Sequence, residues 1–233
     1  MFKKMMVTGF VTALSGAGIV FAAVPAQAAV VYTCNGQKAT LVGTSGSDRL
    51  VGTNGRDVIV ALDGNDLVYG LGGNDVICAG NGHDDVDAGT GNDWVDAGAH
   101  NDEVDGGSGN DTLRGGSGND EVEAGSGNDW VDGGSGNDEV DGNSGNDTVR
   151  GGSGHDDVEG GSGADKLYGG SGNDYLGGGS GKDKLYGEAG HDLLEGHGST
   201  DTISGGSGTD TERQGSASER DEDRWEDRYR WDD

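Results

Sequence analysis

Nineteen aspartates stand on one arithmetic series with a step of nine: Asp48, Asp57, Asp66, Asp75, Asp84, Asp93, Asp102, Asp111, Asp120, Asp129, Asp138, Asp147, Asp156, Asp165, Asp174, Asp183, Asp192, Asp201 and Asp210. A carboxylate is a hard oxygen ligand, suited to Ca2+ rather than to softer metals. Glycine stands two residues before the series Asp in 17 of the 19 units, His100 and Ser199 being the exceptions. Glycine permits tight bends with positive φ, so backbone carbonyls can turn inward toward a cation that the carboxylate also holds. The chemistry in view is repeated cation binding, with one acid per turn.

The elements that position these acids follow from the same period. Two residues after the series Asp comes an aliphatic residue in 18 of 19 units, from Leu50 to Ile203, and only Glu212 breaks the pattern. Such a residue, flanked by polar ones, is the middle of a three-residue strand. Alternation sends it inward and its neighbours outward. Composition alone, with 51 Gly in 233 residues and 30% hydrophobic content, reads as disorder. The repeat reverses that reading, because a self-similar chain can stack its units into a continuous core.

A central unit, residues 115–123, reads Gly-Gly-Ser-Gly-Asn-Asp-Glu-Val-Glu. It matches G-G-x-G-x-D-x-U-x, and residues 43–213 thereby resemble the RTX (haemolysin-type) calcium-binding proteins; the short chain, the N-terminal leader and the Cys-bearing segment before the repeat look most like the small secreted ones of actinobacteria. The resemblance implies an all-β fold, a right-handed parallel β-roll with two nonapeptides per coil and Ca2+ held between successive coils at both edges. Its metal ligands would be the carboxylates of the series aspartates. Carbonyls of the neighbouring glycines would join them: Gly107, Gly109, Gly116, Gly118, Gly134, Gly136, Gly152, Gly154, Gly161, Gly163, Gly170 and Gly172. If each site uses a turn and the next but one, nineteen turns allow at most 17 sites. Thr44, Thr53, Leu62, Leu71, Asn143, Glu188 and His197 replace the second glycine of their turns, so those sites depart from the family pattern.

Residues 1–28 read as a secretory signal peptide: Lys3 and Lys4, an apolar stretch over 5–24, then Ala26-Gln27-Ala28 as the cleavage pattern. The expected product is a free extracellular protein, because Cys34 lacks the small-residue context of a lipid-attachment site. Loss of the leader, with two Lys and no acid, takes the net charge from −28 to −30. Such a charge excludes nucleic acid and anionic membrane as partners, and it repels itself in any compact state. With one aliphatic side chain per strand as its core and glycine-rich turns to order, the metal-free chain is expected to be largely unfolded.

Residues 29–42 are expected to form an N-terminal cap, because the first coils are apolar outside as well (Val58, Val60, Leu67, Tyr69, Val76) and need a cover. A disulfide between Cys34 and Cys78 would pin that cover and close a loop of about 45 residues, roughly 4 kcal/mol by chain entropy. Free thiols or intermolecular pairing are the alternatives. Residues 214–233 are a charged tail with Trp225, Tyr229 and Trp231 that either caps the last coil or is disordered.

Residues 18 apart would stack, which separates two faces. One carries Asp85/Asp87, Glu103/Asp105, Glu121/Glu123, Glu139/Asp141 and Asp157/Glu159; it is a solubilising face or a weaker cation-binding one. The other carries Asp96, Arg114, Asp132 and Arg150 as an alternating charge ladder beside Trp94 and Trp130. No nucleophile motif, phosphate loop or EF-hand loop occurs. His83, His155 and His191 each precede a series Asp and read as exposed turn residues rather than as a zinc set. The expectation is a secreted, non-catalytic, monomeric calcium-binding roll with a structural or interaction role. The alternatives are a calcium-dependent adhesin or glycan-binding surface, or a module working with a separate toxin or enzyme.

Overall fold

A computed structural model describes residues 30–214. The signal-peptide assignment over 1–28 and, apart from Gln214, the aromatic tail over 214–233 lie outside the described residues. The described chain is all strand and turn, wound into a parallel solenoid of about ten coils. Among the described residues no helix is long and apolar enough to cross a membrane.

Two ten-stranded parallel sheets face each other. One is made of three-residue strands, from Arg49–Val51 through Glu121–Glu123 to Thr211–Arg213. The other runs from Leu41–Val42 to Thr202–Ser207, and its remaining strands, such as Thr112–Ser117, are six residues long. Pairing always joins residues 18 apart, as in Val104↔Val122 and Leu113↔Val131. Uniform three-residue strands are thus found on one side only. On the other, the ladder continues past the aliphatic residue through Gly116↔Gly134 and Ser117↔Ser135. At the opposite edge the same positions keep only single bridges, such as Ser108↔Ser126. The glycines differ accordingly, with φ of 83° at Gly107 and 114° at Gly116.

Each strand of the two ten-stranded sheets except the last sends one large aliphatic side chain into the core, as the alternation requires, and Ala61, Ala79 and Ala97 add a second small one in their strands. Ile59, Val68, Ile77, Val86, Val95, Val104, Leu113 and their successors to Leu194 form a single buried column. Leu41 and Ile203 close its two ends, half-buried. The final strand carries Glu212 where the column would continue. Its carboxylate accepts the Gly205 N–H (2.7 Å), and Gln214 exchanges hydrogen bonds with the Asp201 backbone (3.1 and 3.3 Å). Polar side chains therefore terminate the last coil and occupy backbone groups that would otherwise offer a free edge.

At the N-terminal end, β1 (Thr33–Cys34) and β2 (Gln37–Lys38) form an antiparallel hairpin. Asn35 and Gly36 both take positive φ (46° and 74°), as a two-residue hairpin turn that follows strand twist requires. β3 (Leu41–Val42) then opens the long-stranded sheet by pairing with Ile59 and Val60. Cys34 is disulfide-bonded to Cys78. Around it Val58, Val60, Val76 and Cys78 form a second buried cluster, with Tyr32, Ala39, Leu62 and Trp94 packed against it. Tyr32, Cys34 and Ala39 thus pack on the outer face of Val58, Val60 and Val76, whereas Leu67 and Tyr69 lie on the other sheet, outside this cluster.

Farther along that face Arg114 is in register with Asp96 and Asp132, yet forms an ion pair with neither among the described residues. Its guanidinium lies 5.9 Å from the Trp94 ring centroid and 5.4 Å from that of Trp130. Arg150 likewise sits over Tyr168 (4.7 Å), which stacks on Tyr186 (5.2 Å). The alternating charges stack in register as expected, but the guanidinium lies over aromatic rings rather than on the carboxylates, because it is weakly hydrated and its flat face fits an aromatic ring. On the opposite face the acidic pairs stack in register as expected. There, burial and then the neighbouring acids raise the carboxyls of Asp87 and Glu123 above their ordinary range.

Candidate metal centre

Each series Asp sits at the last position of a turn, just before a strand. Ten of them, from Asp48 by steps of 18 to Asp210, line the edge that leads into the short strands; nine, from Asp57 to Asp201, line the other. The two oxygens of each carboxylate have different fates. Oδ1 accepts the backbone N–H of the Asp one coil earlier, at 2.7–3.1 Å, in an unbroken ladder that includes Asp48→Asp66, Asp57→Asp75, Asp102→Asp120 and Asp192→Asp210. Oδ2 turns into the coil. In all sixteen turns from Asp66 to Asp201 it is buried and has no hydrogen-bond partner among the described residues.

An unpaired buried carboxylate oxygen is costly, and the protonation behaviour reflects it. Burial is the largest cause throughout, opposed by the ladder N–H and reinforced by the acids one coil away. It pushes Asp102 up to about 8, Asp111, Asp138, Asp156, Asp165 and Asp174 to about 7, and Asp84, Asp93, Asp147 and Asp183 to about 6. Asp66, Asp75, Asp120, Asp129 and Asp192 are raised for the same reason.

What surrounds Oδ2 fits a hard cation. A Cβ at Gly115 would lie 2.6 Å from Asp120 Oδ2 and 2.7 Å from the Gly133 carbonyl oxygen of the next coil. A carboxylate oxygen and a carbonyl oxygen therefore converge on one small space beside the first residue of the turn. The same pair recurs at Gly133 with Asp138 and Gly151, and at Gly169 with Asp174 and Gly187. That first position is Gly in fourteen turns and Ala in five (Ala61, Ala79, Ala88, Ala97, Ala124), and never anything larger. Its carbonyl and its small size escaped the sequence argument, which looked to the second and fourth residues of the turn. The signal was present as an invariant small residue five positions before each Asp.

The glycines named from sequence do lie at the two edges. Gly107, Gly109, Gly161 and Gly163 belong to the turns of Asp111 and Asp165, and Gly116, Gly118, Gly134, Gly136, Gly152, Gly154, Gly170 and Gly172 to those of Asp120, Asp138, Asp156 and Asp174. The carbonyls of Gly107 and Gly161 already accept N–H bonds from Ser126 and Ser180 (2.8 Å). Those of Gly118 and Gly136 point along the roll at the matching glycine of the next coil, so closely that a Cβ there would overlap the oxygen. The departures from glycine are accommodated at a cost. Leu62, Leu71, Asn143, Glu188 and His197 take positive φ where the second glycine would stand, as does His100 at the fourth position of its turn. Leu71, exposed and at φ 71°, has no packing role that offsets this. Leu71→Gly is expected to raise calcium-loaded stability by about 1 kcal/mol, read as a higher midpoint in thermal unfolding.

One position outside the carboxylates also repeats. The residue before the series Asp accepts, through its side chain, the N–H of its counterpart one coil later, as in Asn110→Asn92 (2.8 Å) and Asn137→Asn119 (2.9 Å). His155 and His191 fill this role with Nδ1, accepting from Asn173 (2.8 Å) and Thr209 (2.9 Å). These histidines belong to the edge lattice, in keeping with their reading as turn residues.

A family model of the RTX calcium-binding nonapeptide repeat, four copies long, matches residues 42–77, 79–113, 106–140, 114–149, 141–176, 150–185 and 177–212. The chain belongs to the RTX calcium-binding repeat family. It is a calcium-binding β-roll, and each coil contributes two turns of the family's type. Among curated proteins none matches this RTX chain. Among solved structures it is similar to a hyperactive, Ca2+-dependent, β-helical antifreeze protein from an Antarctic bacterium. The identity is 28% and the TM-score 0.45, over 75% of this chain and 66% of that one.

Proposed function

We propose that this RTX chain is a secreted, non-catalytic protein whose roll is completed by Ca2+ in the edge turns and which serves outside the cell as a structural or interaction module. The observation that carries the reading is the row of sixteen buried, unpartnered Oδ2 atoms. No group among the described residues satisfies them, and a divalent cation supplies the charge and oxygen affinity they lack. The series aspartates hold the ion through Oδ2. The carbonyl of the first turn residue joins them, and the glycine carbonyls of the second and fourth positions complete the oxygen set. Their own work is to fix the spacing of oxygens between coils and to keep the site closed to water.

The leader over 1–28 and a free-cell calcium level too low to load weak sites support folding after export. A glycan role for Trp94 and Trp130 gains less support, since Arg114 is positioned over both rings. The decisive experiment counts ions bound to the mature protein during a calcium titration. Gly115→Val fills the space between Asp120 Oδ2 and the Gly133 carbonyl and is expected to remove at least one ion. An unchanged count overturns the placement of the ion there.

A further inference from the structure

The turns differ at the fourth residue before the Asp, and the first two differ from all the rest. There, Thr44 and Thr53 occupy the position that glycine holds in most later turns. Thr44 donates its N–H (2.6 Å) and its Oγ1–H (2.8 Å) to Asp48 Oδ2. Thr53 does the same to Asp57 Oδ2, at 2.7 and 2.9 Å. Neither threonine takes the positive φ found at this position in the later turns, which brings its donors round to the carboxylate. From Asp66 as far as Asp201 the corresponding oxygen has no partner among the described residues.

We propose that threonine takes the cation's place in these two turns, so that the first coils form a metal-independent base on which calcium assembles the others. This rests on the reading that Oδ2 of the later turns faces Ca2+. Two charge-assisted hydrogen bonds satisfy each of these carboxylate oxygens, half-buried at Asp48 and buried at Asp57, without an ion. A second, independent feature sits at the same end. The Cys34–Cys78 disulfide ties the hairpin over Val58, Val60 and Val76, giving these coils the only apolar cluster outside the central column among the described residues. A coil that needs no metal and is cross-linked to its neighbours presents a finished strand edge, and strand pairing on a preformed edge avoids a new nucleation step. Binding is then expected to spread from Asp66 toward Asp210, with at most fifteen of the seventeen geometrically allowed ions bound.

The test is hydrogen exchange of the oxidised mature protein in EGTA at pH 7.5, together with ion counting in saturating calcium. Amides of 58–61 and 76–79 are expected to stay protected in EGTA while those of 104–194 exchange freely. Thr44→Val with Thr53→Val removes both hydroxyls, lowers the protection at 58–61 by about tenfold or more, and leaves the saturated ion count unchanged. Thr44→Gly with Thr53→Gly is expected to raise that count by up to two. A chain that binds ions but exchanges uniformly in EGTA, or that binds more than fifteen, overturns this proposal alone. A chain that binds no ion overturns the calcium reading and this proposal with it.

Discussion

Chelation with EGTA at neutral pH is expected to abolish most of the strand signal in circular dichroism and to expand the chain, and millimolar Ca2+ to restore both. Metal-free, the roll would bury sixteen carboxylate oxygens that no group among the described residues pairs, each a penalty of several kcal/mol after relaxation. Against that stands a core of one large side chain per strand, a single column from Leu50 to Leu194. The glycine turns add conformational entropy that folding must overcome. Calcium reverses the sign of the carboxylate contribution. At ten times its dissociation constant an ion contributes about 1.4 kcal/mol, so fifteen sites supply roughly 20 kcal/mol, more than the net stability of an ordinary domain. Equal strand content with and without the ion sinks the idea that metal binding and folding are one event.

The same numbers explain what was legible in the sequence. A period of nine with one Asp and one aliphatic residue gives the turns and the inward column; the coil of two nonapeptides and its 18-residue register were implied by the family resemblance, and the pairing shows both. The apolar surface of Val58, Val60 and Val76 announced a cover, and Cys34 with Cys78 announced its tether. Asn35-Gly36 is a hairpin signal that the sequence argument left unused. Other features depend on relations that no single repeat encodes. The two edges carry the same motif, yet one extends its ladder through Gly116 and Ser117 while the other keeps only a single bridge at Ser108, which Gly107 joins through its carbonyl. The choice of Trp94 and Trp130 over Asp96 and Asp132 as partners of Arg114 is made among side chains that meet across coils, not by order along the chain. The roles of Thr44 and Thr53 were hidden because a departure from a motif looks like loss until the partner atom is known.

Acid is expected to do part of the work of calcium. With EGTA present, lowering the pH from 7.5 to about 4 should return strand content and compact the chain, because each buried Asp can then enter the coil neutral. In the metal-free roll these carboxyls are held above their unfolded value of 3.8, up to about 8 at Asp102 and about 7 at Asp138, Asp156 and Asp174. The folded form therefore binds more protons than the unfolded one between roughly pH 4 and 8. Stability from this source is fully present below the unfolded pKa and is lost as pH rises through the folded values. A protonated Oδ2 at Asp120 is also a donor beside the Gly133 carbonyl, so the proton replaces a ligand interaction and not only a charge. Protons and calcium then compete for one atom, and calcium affinity should fall by about tenfold per pH unit for each proton displaced. General relief of repulsion in so acidic a chain is the rival explanation. Salt separates the two, since about 1 M salt shortens the screening length to roughly 3 Å yet cannot solvate a buried oxygen. Recovery of structure at pH 7.5 in high salt and EGTA assigns the effect to surface charge. Recovery by acid alone assigns it to the sixteen buried oxygens, and the apparent pKa of the transition should then lie well above 4.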